Sequence, residues 1–210
     1  MAARDYMAET PPLRFEKELW ALGIRYIGGI DEAGRGAWAG PVAAAVVVLP
    51  ADSGVLRSLT GVRDSKCMTP LQRERTAPII KTESLAWGVG FSSAEEIDTM
   101  GILPATRQAA MRALEMLPMM PEYLLLDYIH WPGLAHPHLA LPKGESQSLS
   151  IAAASVLAKT ARDSIMRGME DQYSGYGFAK HKGYGTAQHR AAIVRLGLCR
   201  IHRESFKIHV

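Results

Sequence analysis

Residues 25–50 read RYIGGIDEAGRGAWAGPVAAAVVVLP, and the fold class turns on them. Arg25 to Asp31 has the composition of a strand that ends on acid. The glycines and proline of AGRGAWAGP then mark a turn. Val42 to Leu49 is almost wholly apolar and is closed by Pro50. The two segments together predict a hairpin whose second strand is buried on both faces.

Working outward, the chain interleaves helices with strands. Leu13 to Leu22 has apolar residues at helical spacing. Leu56 to Lys66 reads as loop with room for a short helix. Thr69 followed by Pro70 opens a helix to about Thr82. Leu85 to Phe91 alternates like a strand, and Ser93 to Glu96 has capping-box spacing at the start of another helix. Leu103 to Leu117 is a helix with Ala109, Ala110, Ala113, Leu114 and Leu117 on its apolar side, stopped by Pro118 and Pro121. Tyr123 to Asp127 (YLLLD) is a short buried strand, again ending on acid. Trp131 to Pro142 reads as loop with an edge strand at its end. Ser150 to about Met169 is the strongest helix, serine-capped and alanine-rich. Gly183 to Gly185 form a turn, and Thr186 to Leu196 a last helix. This order predicts an α/β domain with a small helical cap.

Composition agrees. The chain has 210 residues, 48% hydrophobic and 21% charged, which suits a packed core. The two cysteines, Cys67 and Cys199, exclude a disulfide framework and a four-cysteine zinc site and fit a reducing cytosol. The longest apolar run is far short of the ~20 residues that span a bilayer. Met1 to Pro12 lacks an apolar core, so no secretory signal is expected. The net charge is +3, but Gly175 to Val210 holds Lys180, Lys182, Arg190, Arg195, Arg200, Arg203 and Lys207 against Glu204 alone. A basic end beside a more acidic body suits a polyanion partner, or is a solvated surface.

The residues able to do chemistry are mostly acids. Asp31 and Glu32 adjoin a turn where Gly34 and Gly36 let the strand stop and the backbone bend, so both carboxylates can reach one site. Carboxylates sharing a site repel, and a hard divalent cation removes that penalty. Asp127 ends a buried strand, where α/β sheets place their ligand sites. Two strands ending in acid favour a shared cluster over two independent turns. Glu145 is either a further ligand or an acid at a helix start. Asp163, four residues after Lys159, reads as a helix-surface ion pair. Gly34, Arg35 and Gly36 allow a ligand close to backbone amides, or make a tight turn. Tyr184, between glycines, suits stacking on a sugar or base, or packs a turn. Lys66 in Asp64-Ser65-Lys66 is a phosphate-binding candidate or a solvated lysine. No P-loop, GxGxxG, Gly-x-Ser-x-Gly elbow or zinc spacing occurs, which favours metal-assisted chemistry over nucleophilic catalysis.

The segments IDEAGRGAWAGPV, DSK, LLLD, SLSIAAASVLAKTARD, KHKGYGT and IHRESF follow one another in this order. In that combination the chain resembles bacterial ribonuclease HII, the type 2 ribonuclease H, from about Phe15 to Phe206. The resemblance implies a ribonuclease H-like fold: a mixed central β-sheet flanked by helices, with a small C-terminal helical segment. It implies a core over residues 15–169, a substrate-binding segment over 170–210 and a flexible extension over 1–14. It further implies an endoribonuclease, active in replication and repair, that cuts the RNA strand of RNA–DNA hybrids. Single ribonucleotides embedded in duplex DNA are cut on their 5′ side, leaving 3′-hydroxyl and 5′-phosphate ends. Two divalent ions, Mn2+ or Mg2+, are expected on Asp31, Glu32, Asp127 and Glu145. Gly34, Arg35 and Gly36 are expected at the ribose 2′-hydroxyl, Tyr184 at the following deoxy sugar and Lys66 at the substrate.

Two departures from the family pattern stand out. Glu145 replaces the usual Asp of a KGD stretch, and Tyr128 replaces the usual Gly after Asp127, where it bears on the floor of the site. A cytoplasmic monomer with no membrane contact and no obligate protein partner is expected. The alternatives are a hybrid-binding module that has lost catalysis, or a metal-dependent DNA nuclease.

Overall fold

The computed structural model describes residues 10–128 and 131–208. Five strands form one sheet in the order β3-β2-β1-β4-β5. The strands are β1 (Ile27–Ala33), β2 (Val42–Val48), β3 (Ala86–Ser92), β4 (Tyr123–Asp127) and β5 (His138–Leu141). β2 runs antiparallel to both β1 and β3. β4 runs parallel to both β1 and β5, so the sheet is mixed. β2 is buried at every position, as the all-apolar run predicts.

The helices in chain order are α1 (Arg14–Ala21), α2 (Val55–Ser58), α3 (Pro70–Glu83), α4 (Ala94–Met100), α5 (Ile102–Glu115), α6 (Leu149–Gln172), α7 (Phe178–His181) and α8 (Ala187–Leu196). The capping boxes at Thr69–Gln72 and Ser93–Glu96 both form. α5 and α6 cover opposite faces of the sheet, each contributing an alanine-rich face to one large core cluster. Small residues let α6 approach very closely. A Cβ added at Gly29 of β1 would lie 2.4 Å from the Ser150 carbonyl carbon.

Several expectations need correction. Strand β1 does not stop at Asp31. It continues to Ala33, with Asp31 and Glu32 paired to Ala45 and Ala44 of β2. The N-cap of α6 is Ser148, because the Ser150 hydroxyl donates instead to Glu16 Oε1 at 2.7 Å. Residues 10–13 are docked rather than free. Thr10 Oγ1 accepts from Gly61 N–H at 2.8 Å, and Leu13 is buried and forms a bridge with Ser148. The rest of the expected extension, residues 1–9, lies outside the described residues. The C-terminal segment is stitched into the body. Gly183 carbonyl accepts from Trp38 N–H at 2.8 Å, and Ile201 carbonyl from Gly40 N–H at 2.8 Å.

Candidate active site

The parallel pair β1–β4 places Asp31, Glu32 and Asp127 at one end of the sheet. Asp31 and Asp127 are each the acid that closes an apolar strand core. Glu145 reaches the same place from a single 3-10 turn, Gly144–Ser146, where Gly144 N–H donates to Asp127 Oδ1 at 2.7 Å.

These carboxylates feel one another. Burial, then Glu32 and Asp127, push the Asp31 pKa well above the usual carboxylate range. Burial also raises Glu32, against the opposing pull of Arg35, which donates to Glu32 Oε1 at 2.9 Å. Glu145 is raised by burial and by Asp127. Lys66 sits among them. Burial lowers its pKa, but Asp64, Asp31, Glu145 and Asp127 together outweigh that and leave it raised.

The donor set is oxygen-only, which suits a hard divalent cation. Asp31 Oδ1, Glu32 Oε1 and Asp127 Oδ1 each accept one hydrogen bond from the protein. Glu32 Oε2 and Glu145 Oε2 are buried with no hydrogen-bond partner. A buried, unpaired carboxylate oxygen is costly, and a metal ion relieves that cost. Among the described residues no group of three or more His, Cys, Asp or Glu side chains is drawn together as a preformed metal cage. The chemistry of the donors fits divalent ions, and binding them requires the free oxygens to converge.

Beside the acids lies a cavity of about 260 Å³ lined by Glu32, Gly34, Arg35, Gly36, Lys66 and Tyr184, with Ala33, Ser65 and Lys159. The structure thus brings the glycine-arginine-glycine turn, the loop lysine and the tyrosine to one opening, with one of the acids in its wall. Gly34 has φ +94°, which disfavours a side chain, and a Cβ there would lie 2.0 Å from Arg162 Nε. Above Gly36 the space is open for 4 Å, so a ligand can approach its backbone. Lys159 Nζ stands 5.1 Å from the Tyr184 ring centroid. Glu145 opens on a second cavity of about 540 Å³, with Arg63, Asp64 and Lys143.

Helix α6 positions most of these parts from one face. Ser155 Oγ accepts from Ser65 N–H at 3.1 Å and donates to Ser65 Oγ at 2.7 Å, which fixes the loop carrying Lys66. Lys159 faces Tyr184. Arg162 donates to the carbonyls of Pro41, Lys182 and Ala39 at 2.8, 3.0 and 3.1 Å. Asp163 accepts from Arg73 at 3.2 Å and from Lys159 at 2.8 Å. The expected Lys159–Asp163 pair therefore forms, but Asp163 is buried rather than at the surface. It is 5% exposed, because α3 brings Arg73 over it.

The family profile of ribonuclease HII matches residues 28–209. A ribonuclease HII of Moorella thermoacetica is 48% identical over 193 residues, covering 92% of each chain. The chain belongs to the ribonuclease HII family. The crystal structure of ribonuclease H2 from Pyrococcus horikoshii OT3 superposes with TM-score 0.71 and 25% identity, over 87% of this chain and 94% of that one. Bst-RNase HIII in complex with Mn2+ shares the fold at TM-score 0.61 and 19% identity, over 82% of this chain and 63% of that one. The fold is the ribonuclease H-like mixed sheet, and membership makes the chain a ribonuclease, a hydrolase of phosphodiester bonds. No helix among the described residues is long and apolar enough to cross a membrane.

One departure from the expected pattern leaves a mark on the backbone. Tyr128 follows Asp127 with φ +45°, a left-handed conformation natural to the glycine expected there. Its side chain is 71% exposed, so it does not cover the floor of the site. Two functional supports escaped the sequence reading. Arg203, counted among the basic residues facing a polyanion, is fully buried and donates to Gly40 and Arg35 carbonyls at 3.0 and 2.9 Å. Arg162 is fully buried as well. Nothing in the letters separates these from surface arginines, apart from the neighbouring glycines that leave carbonyls to be satisfied.

Proposed function

We propose that the chain is a divalent-metal-dependent endoribonuclease acting on the RNA strand of RNA–DNA hybrids. It cuts on the 5′ side of a single ribonucleotide in duplex DNA and leaves 3′-hydroxyl and 5′-phosphate ends. The observation that carries this reading is the shared cavity, where Glu32 of the acid cluster stands with Gly34, Arg35, Gly36 and Tyr184. Groups suited to hydrolysis and groups suited to reading a sugar open on one space.

Asp31, Glu32, Asp127 and Glu145 would hold two ions, Mg2+ or Mn2+. Bound there, the metal would supply an activated water and charge stabilisation for the phosphate. Everything else falls to the chain. The acids must stay ionised although burial and mutual repulsion oppose it. The backbone of Gly34–Gly36 binds the 2′-hydroxyl, the group that distinguishes RNA from DNA. Tyr184 packs on the adjoining deoxy sugar, and Lys66, held charged by the acids around it, takes a substrate phosphate. Residues 170–210 act as the substrate-binding segment because they carry Tyr184. The site is assembled within one chain, which supports action as a monomer. Cytoplasmic removal of RNA primers and misplaced ribonucleotides suits this chemistry.

The test is a panel of an RNA–DNA hybrid, a DNA duplex with one ribonucleotide and the all-DNA duplex, each with Mg2+ and with Mn2+. Cutting of the first two with the stated ends supports the reading. Equal cutting of all-DNA duplex makes it a DNA nuclease, and binding without cutting makes it a binding module.

A further inference from the structure

Beneath the Tyr184 turn lies a packed group of three histidines that the mechanism above does not use. His181, His189 and His202 are 7%, 0% and 2% exposed. The His181 and His189 rings stack at 4.4 Å between centroids, 17° apart. His189 Nε2 and His202 Nε2 stand 3.0 Å apart. Trp38 and Phe178 pack against His189.

The contacts admit one proton arrangement. His181 Nδ1 accepts from Gly183 N–H at 3.2 Å, so its proton is on Nε2, which donates to the Tyr176 carbonyl at 2.8 Å. His189 Nδ1 faces the Tyr184 carbonyl at 3.1 Å and must donate to it. Its Nε2 is then an acceptor when the ring is neutral, so His202 Nε2 carries the hydrogen between them. That leaves His202 Nδ1 as acceptor, and Cys199 N–H donates to it at 2.8 Å. The Cys199 carbonyl, 3.1 Å from the same nitrogen, is already served by His202 N–H at 2.9 Å. Every step of this chain is consistent with three neutral rings, and reversing any one sets lone pair against lone pair or hydrogen against hydrogen.

The geometry points to His181, His189 and His202 as positioning residues for Tyr184. Two stacked imidazoles hold the backbone on either side of it, one at the N–H of the preceding Gly183 and the other at the Tyr184 carbonyl, and His202 fixes the tautomer of the one on the carbonyl. This inference rests on the reading of Tyr184 as a sugar-contacting group. Its consequence is a conditional grip. A proton added to His189 goes on Nε2 and meets the His202 Nε2–H across 3.0 Å, one added to His202 goes on Nδ1 and meets the Cys199 N–H across 2.8 Å, and in either case the contact must part. Burial opposes that proton, holding the His189 pKa at about 4 and lowering that of His202. The titratable and charged groups around the pair are His181 from α7, Cys199 and the Tyr176 hydroxyl linked to it, and Arg190 over the Trp38 ring.

Two measurements on the full chain test this. Nitrogen-15 NMR of the imidazoles at pH 7.5 should show His189 as the Nδ1–H tautomer and His181 and His202 as Nε2–H, all neutral. An Nε2–H His189, or a charged ring, overturns the proposal. This readout needs no cleavage, so it stands apart from the proposed activity. The kinetic arm compares His202→Ala with His202→Gln, whose amide nitrogen can still donate to His189 Nε2. With the single-ribonucleotide duplex, His202→Ala should raise KM about tenfold, roughly the worth of one hydrogen bond, with kcat nearly unchanged. His202→Gln should stay within about twofold of the parent and rise less in KM on acidification, having lost one titrating ring. Equal KM for the two variants, or loss confined to kcat, refutes the positioning role. If His202→Ala does not fold, the pH profile of His202→Gln against the parent decides.

Discussion

Replacing Arg162 by methionine tests how the site is held. The guanidinium is fully buried, and its three bonds go to Ala39, Pro41 and Lys182 carbonyls. Two of these acceptors lie between the Gly34–Gly36 turn and β2, and the third precedes the Tyr184 turn, so one side chain ties both cavity-lining turns to α6. Methionine fills much of the volume and donates nothing. Each hydrogen bond from a charged donor is worth roughly 1.5–3 kcal/mol, and the carbonyls left behind lose their partner. Burying a guanidinium is itself costly, and its removal returns part of the sum. The net loss should be about 3–5 kcal/mol, or a fall in Tm on the order of 10 °C for a domain of this size. Thermal and urea unfolding measure it, and cleavage of the single-ribonucleotide duplex, assayed well below the new Tm, should fall at least about tenfold as both turns drift. A variant that melts within about 2 °C of the parent and cuts at its rate would show that the turns hold themselves, and the argument would fail.

The acid cluster gives a prediction of opposite sign. Asp31, Glu32 and Glu145 have pKa values raised in the fold, so the stability due to their neutral forms is present below the unfolded pKa and is lost as pH rises through the folded values. In metal-free protein, Asp31→Asn should therefore melt higher than the parent, with a gap that widens from pH 5 to pH 8; a lower or pH-independent Tm contradicts the repulsion. Tyr128→Gly should stabilise by about 1 kcal/mol in urea unfolding, because only the left-handed backbone is relieved and the side chain is solvent-exposed; destabilisation would mean Tyr128 makes a contact that matters. Glu145→Asp shortens the acid by one methylene at a carboxylate whose Oε2 has no partner. It should change the ratio of Mg2+- to Mn2+-supported rates by several-fold, since a displacement of about 1 Å at a reacting centre can cost on the order of 100-fold; an unchanged ratio would remove Glu145 from the metal site.

Local grammar carried most of the fold. Strand β4 begins and ends where YLLLD does, and α3 and α4 start on the capping residues that their spacing announces. The errors share a cause, which is a partner distant in sequence. Ser150 looked like a cap until Glu16, 134 residues away, took its hydroxyl. Asp163 looked solvated until Arg73, 90 residues away, covered it. The strand seemed to end at Asp31 because the glycines that follow are turn residues, yet β2 continues to pair with it through Ala33. In the candidate site, Asp31 and Asp127 could be singled out from the apolar runs they close, and Tyr184 from its glycines. The buried arginines and the histidine cluster could not, since the same residue types in a basic tail equally describe a solvated surface. α7, four residues long, is too short to announce itself by periodicity.

At the centre of the proposed function is one cavity that reads the ribose and has Glu32, one of the four clustered acids, in its wall. The direct measurement sets binding and cleavage of a duplex with one embedded ribonucleotide against the all-DNA duplex, in the parent and in Asp31→Asn, with Mn2+. The account predicts that Asp31→Asn still prefers the ribonucleotide in binding while its cleavage falls by at least about 100-fold. Cleavage surviving in Asp31→Asn, or a parent that binds and cuts both duplexes alike, would contradict it.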